Sequence, residues 1–234
     1  GIYVEGEIFN PISIELNNVT IQNNDANLQN GLGGGIYTTN SENQLQGSLI
    51  SENKSKHGGG INAKDVTYLN INLSTFSENF AVENGGAIII DNSGLLFSTN
   101  SIQTITNTKL LHNSARNGGA LYFKDNKNIQ LDNNLIAFNN NNYQGEYFGG
   151  GLFIKDCENM SIDHNTIYGN GSGSDNLSEN NSYAGSIYFS GGELNIVNSI
   201  FWNNIADYYQ EWYLSGSSGG AIDATYTIIS SYYN

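Results

Sequence analysis

The chain has 234 residues, a net charge of −14 and only 13% charged side chains, with Gly, Asn and Ser taking their place. Eight Lys and Arg provide no basic patch to neutralise phosphates, which excludes nucleic acid as a partner; no apolar run approaches the ~18 residues of a membrane span; and a single cysteine, Cys157, leaves no internal disulfide framework. Fifteen Tyr, ten Phe and two Trp are enough for a packed core, so a disordered chain is excluded as well.

The first residues, Gly1-Ile2-Tyr3-Val4, already read as the middle of a repeat, and the last, Ser231-Tyr232-Tyr233-Asn234, stop inside one. Residues 1–234 are therefore expected to be a single domain cut from a longer chain. A glycine hinge running into a short strand recurs as Gly33-Gly34-Gly35-Ile36, Gly58-Gly59-Gly60-Ile61, Gly85-Gly86-Ala87-Ile88, Gly118-Gly119-Ala120-Leu121 and Gly149-Gly150-Gly151-Leu152. Repeats of 20–50 residues signal a solenoid or an array. Aligned on the last small residue of the hinge, the anchors are Gly1, Gly35, Gly60, Ala87, Ala120, Gly151, Ser186 and Glu211.

One residue after each anchor come Ile2, Ile36, Ile61, Ile88, Leu121, Leu152, Ile187 and Trp212, and three after come Val4, Thr38, Ala63, Ile90, Phe123, Ile154, Phe189 and Leu214. That period-2 pattern predicts a half-buried strand. Five after come Gly6, Asn40, Asp65, Asn92, Asp125, Asp156, Gly191 and Gly216, the residue types that tolerate a left-handed turn. A second strand then ends in apolar-x-x-Asn: Ile21…Asn24, Ile50…Asn53, Phe76…Asn79, Leu110…Asn113, Ile136…Asn139, Ile167…Asn170 and Ile200…Asn203, with Ile228…Ser231 closing the series. Asn at one place in successive repeats predicts a stacked amide ladder. Helical periodicity is absent. The fold expected is all-β, a right-handed parallel β-helix of about eight coils without a capping helix, forming a rod of about 40 Å at ~4.8 Å per rung.

The hinge followed by Ile or Leu, with apolar-x-x-Asn downstream, resembles the repeats of chlamydial polymorphic outer-membrane proteins. Gly85-Gly86-Ala87-Ile88 with Phe76-Ser77-Glu78-Asn79 is the nearest match, and Gly118-Gly119-Ala120-Leu121 matches again. The stretch from Asn198-Ser199-Ile200 to Thr227-Ile228-Ile229 looks like the closing coils of large secreted bacterial β-helix proteins. The resemblance implies an extracellular or surface-exposed bacterial protein, often an adhesin. The autotransporter barrel of the chlamydial family has no counterpart in these residues.

Two residues after each anchor lies an outward stripe: Tyr3, Tyr37, Asn62, Ile89, Tyr122, Phe153, Tyr188 and Tyr213. Aromatic rings suit strands, and they also suit an extended glycan, whose apolar faces stack on them. The loops entering the edge of this stripe lengthen in repeats five to seven and carry Tyr147, Asp175, Glu179, Tyr208 and Tyr209. Together with Tyr122, Phe153, Tyr188 and Tyr213 these are the candidate ligand-binding residues. The expected function is a non-catalytic surface β-helix that binds glycan or a host surface. The alternatives are a stalk or filament subunit that stacks end to end, and a polysaccharide lyase or hydrolase. Enzyme signals are thin. Lys124 and Lys155, with Asp125 and Asp156, form a charge ladder that would suit a cation-assisted lyase, but Arg116, His57, His112 and His164 are scattered, and Asn-Thr-Asp, Gly-His-Gly and Gly-Gly-x-Gly-x-Asp motifs are missing. No cofactor or metal is expected. Asn-x-Ser/Thr triplets begin, among other places, at Asn18, Asn53, Asn72, Asn159, Asn176 and Asn180; Asn53, a ladder residue, should be inaccessible.

Overall fold

The computed structural model describes residues 1–7, 10–26, 28–92, 94, 101–141, 146–172, 181–215 and 220–230. Among these there is no helix, and every strand pair is parallel. The predicted hinge strands pair in sequence, with Ile2, Ile36, Ile61, Ile88, Leu121, Leu152, Ile187 and Trp212 each beside the next. A second ladder stacks Leu16, Leu45, Ile71, Ile105, Leu131, Ile162, Ile196 and Ala224. A third stacks Ile21, Ile50, Phe76, Leu110, Ile136, Ile167, Phe201 and Ile229. The first two ladders join because Leu152–Asp163 and Ile187–Val197 run unbroken through the bend between them. The arrangement is solenoid-like and consistent with a parallel β-helix.

The sequence pattern explains why each strand bends where it does. Asn40, Asp65, Asp125, Asp156 and Gly191 take positive φ at the end of the hinge strand. Gly6 and Asn92, expected to do the same, do not, and Gly216 lies outside the described residues; Asn92 turns its amide inward, accepting from the Val66 N–H at 2.9 Å and donating to Asn126 Oδ1 at 2.8 Å. The hinge glycines have two separate reasons. Gly33, Gly58, Gly85, Gly118 and Gly149 sit at φ of 61–66°. The glycine that follows each packs against the next repeat's backbone: a Cβ on Gly119 would lie 2.2 Å from the Gly150 carbonyl oxygen.

The core is one continuous apolar file, with Ile50, Phe76, Leu110, Ile136, Ile167 and Phe201 fully buried. Beside it runs the amide ladder. Asn53, Asn79, Asn113, Asn139 and Asn170 each donate Nδ2 to the Oδ1 of the next at 2.9–3.0 Å, and that Oδ1 also accepts the backbone N–H of the residue before it. Asn53 is 0% exposed, as expected of a ladder member. The ladder continues through Asn204, not the expected Asn203. Ile200 and Phe201 are both apolar, and the register pairs Phe201 with Ile167, so Phe201 is buried while Ile200 is 38% exposed. Asn203 takes the positive-φ turn position instead. The same one-residue shift moves the closing pair to Ile229, and Ser231 lies outside the described residues.

The ladder ends on Glu211. Its carboxylate accepts from Asn204 Nδ2 at 2.7 Å and from the Ser230 hydroxyl. Other repeats carry Gly, Ala or Ser at this anchor, where space is short: a Cβ on Gly35 would lie 2.7 Å from the Gly60 carbonyl oxygen and 3.2 Å from Asn53 Nδ2, and one on Gly60 would lie 2.6 Å from the Ala87 carbonyl oxygen. Burial pushes the Glu211 carboxyl above its ordinary range, outweighing the hydrogen bonds it accepts.

Candidate recognition surface

The outward stripe forms on the hinge-strand ladder because residues two after the anchor alternate away from the core. Its rings stack on one another. Tyr122 and Phe153 lie 4.8 Å apart at 1°, Phe153 and Tyr188 4.9 Å apart at 5°, and Tyr188 and Tyr213 5.4 Å apart at 40°. Phe153 thus has a ring on each face. The middle of the stripe presents ring edges, not the open faces that would stack on a sugar.

A second aromatic file runs beside the first. The residue just before each hinge is Leu32, His57, Asn84, Asn117, Phe148, Tyr183 and Tyr208, and the backbone pairs these one to the next. The polar members bond along the file, Asn117 Nδ2 to Asn84 Oδ1 at 2.8 Å and Asn84 Nδ2 to His57 Nδ1 at 3.2 Å. Its aromatic members stack, Phe148 on Tyr183 at 5.5 Å and Tyr183 on Tyr208 at 5.3 Å. The two files interlock where Phe148 meets Tyr188 edge-on at 4.8 Å and Tyr183 meets Tyr213 at 5.5 Å. Phe148 and Tyr183 belong to the loops expected at the edge of the stripe but were not among the expected binding residues, although their position before the hinge recurs from repeat to repeat and could have been aligned as the stripe was.

The expected binding residues therefore fall into three groups. Tyr122, at 8% exposure, and Tyr147, at 4%, are buried; burial raises the Tyr122 phenol's pKa. Tyr147 points inward because its strand alternates and Phe148 takes the outward place. Phe153, Tyr188 and Tyr213 are half-buried within the stack. Tyr208 and Tyr209 are exposed, at 47% and 59%. Asp175 and Glu179 lie outside the described residues.

Tyr209 stands apart. It occupies the first hinge position, where five repeats have glycine and one has Ala184, and it keeps their left-handed backbone with φ 57°. A bulky residue is an outlier there. Its ring packs on Tyr213 at 4.7 Å.

Catalytic candidates are placed as follows. Lys124 pairs with Asp91 at 3.7 Å and Asp125 at 3.6 Å in the predicted charge ladder, and Lys155 is its register neighbour. His57 is held below its ordinary pKa by burial, against the opposing pull of Glu83. His112 stacks on Phe138 at 5.3 Å. His164 Nδ1 lies 3.0 Å from Asp163 and 3.5 Å from Asp132, at the corner ending the second ladder; one ligand atom from each of the three fits within 4.8 Å, a spacing that suits a cation, on a surface open to solvent. The Cys157 thiol is buried and pushed up to about 12 by burial, so it is not a nucleophile.

No family model matches the chain, and neither a curated protein nor a solved structure is significantly similar to it. Its resemblance to the chlamydial repeats rests on the hinge and ladder residues alone.

Proposed function

We propose that the chain is a right-handed parallel β-helix of about eight coils, displayed at a cell surface or secreted, that binds glycan without catalysis through the aromatic tip Tyr208, Tyr209 and Tyr213. Tyr209 carries this reading. An exposed ring held in a backbone conformation that glycine fills in five other repeats costs stability, and such strain clusters at ligand sites. The stacked files behind it immobilise the tip, which lowers the entropy lost on binding.

The test is affinity electrophoresis against a polysaccharide panel with the intact chain, Tyr208→Ala and Tyr209→Gly. Tyr209→Gly restores the residue that five other hinges use, so it should fold at least as stably while losing retardation about tenfold, or 1.4 kcal/mol. Retardation unchanged in both variants, or absent on every polymer, refutes the site. Unsaturated or reducing ends released during incubation would replace the reading with a lyase or hydrolase.

A further inference from the structure

A second exposed aromatic surface lies on the outer face of the third ladder. The outward column there reads Gln22, Ser51, Ser77, Leu111, Ala137, Tyr168 and Trp202, paired one to the next. The backbone position is the same in every repeat, so strand geometry does not require the change from serine to aromatic. The turn residue that follows each carries positive φ: Asn23, Glu52, Glu78, His112, Phe138, Gly169 and Asn203. Phe138 at φ 57° is the bulkiest of these and is 47% exposed. It is fixed on both sides. His112 stacks on it at 9°, and Gly169 leaves room for it, since a Cβ there would approach the Phe138 ring to 3.0 Å. Tyr168 meets it edge-on at 5.2 Å. Trp202 is 51% exposed, and among the described residues no ring covers its indole.

Charge disappears along with the serines. Glu52 and Glu78 flank the column in the earlier repeats, whereas Leu135, Thr166 and Ile200 on one side and Phe138, Gly169 and Asn203 on the other are uncharged. Within these three rungs the six flanking positions carry no full charge; Lys109, one rung away beside Leu135, is the neighbouring cation. Three rungs at ~4.8 Å span about 14 Å. A strip of that length and one strand wide offers on the order of 150 Å², far below the roughly 800 Å² per partner of a stable protein interface. It matches two or three sugar rings. Apolar sugar faces would meet the aromatic surface, and Thr166 and Asn203 stand in reach of hydroxyls at its margin.

We infer that Phe138, Tyr168 and Trp202 form a second binding site, independent of the Tyr209 tip, for a neutral glycan chain lying along the stack of repeats. The probes are hydroxyethylcellulose, xylan, laminarin and galactomannan, added to the intact chain while indole emission is followed. The chain has two Trp, and Trp212 is packed on Phe201 at 5.2 Å, so the response reports on Trp202. The variants are Trp202→Ser and Phe138→Asn, residues that other repeats already carry at these positions. At least one polymer is expected to shift the emission, with affinity falling tenfold or more in Phe138→Asn and retardation falling equally in Trp202→Ser. Tyr209→Gly should leave this binding intact, which separates it from the tip. Equal binding by all variants, or no response to any polymer with folded protein, overturns the inference. So does a response to an apolar dye such as ANS that none of the polymers displaces, which would mark a protein-docking patch.

Discussion

Replacing Asn139 with alanine tests the amide ladder as the element holding the repeats in register. Asn139 is 0% exposed. Its Oδ1 accepts from the Asn113 backbone N–H at 2.9 Å and from Asn113 Nδ2 at 3.0 Å, while its Nδ2 donates to the Leu110 carbonyl at 2.9 Å and to Asn170 Oδ1 at 2.9 Å. Asn139→Ala keeps the backbone N–H bond to Asn170 Oδ1, and Asn113 Nδ2 keeps the carbonyls of Phe76 and Leu111. The Asn113 backbone N–H and the Leu110 carbonyl each lose a partner in a place water does not reach. At about 1–3 kcal/mol for each of these two groups, less relaxation, the loss comes to about 2–4 kcal/mol. That is a large share of the roughly 5–15 kcal/mol available to a domain. Urea unfolding followed by far-UV circular dichroism measures it, with Gln130→Ala, an exposed outward position, as the control expected within ~0.5 kcal/mol of the parent. A loss below about 1 kcal/mol for Asn139→Ala would refute the reasoning, because the ladder would then be a consequence of stacking and not a cause of it.

Two further outcomes follow from buried titratable groups. The fold holds the Glu211 carboxyl's pKa above its ordinary 4.5, so the folded state binds the proton more tightly than the unfolded one. Its contribution is fully present below pH 4.5 and is lost as pH rises through the raised value. Measured as urea midpoints from pH 4 to pH 7, the parent should lose stability relative to Glu211→Gln as pH rises; a flat or opposite trend contradicts the assignment. The Cys157 thiol, buried with its pKa near 12, should resist a chromogenic disulfide reagent at pH 8 in the native chain and react fully in denaturant; rapid native reaction would show that its repeat opens.

Much of the fold was legible because a stacked repeat writes the same constraint many times. The hinge strands pair residue for residue as the anchors align them, from Ile2 to Trp212. The ladder asparagines were legible up to Asn170 for the same reason. The reading slipped where two adjacent residues satisfied one rule. Ile200 and Phe201 are both apolar, and only the neighbouring strand decides which is buried. The candidate site was legible as a column and not as a surface: period-2 alternation places Tyr122, Phe153, Tyr188 and Tyr213 on one stripe, but Phe148 and Tyr183 pack beside them from another part of each repeat.

By itself, the sequence determined the strand type, the repeat boundaries, most of the turn residues and the amide ladder as far as Asn170, since these depend on local periodicity and on residues that recur at one place per repeat. Only the tertiary structure decided which aromatic rings reach solvent. Exposure depends on what packs alongside, and residues distant in sequence close over Tyr122 and Phe153 while leaving Tyr209, Phe138 and Trp202 open.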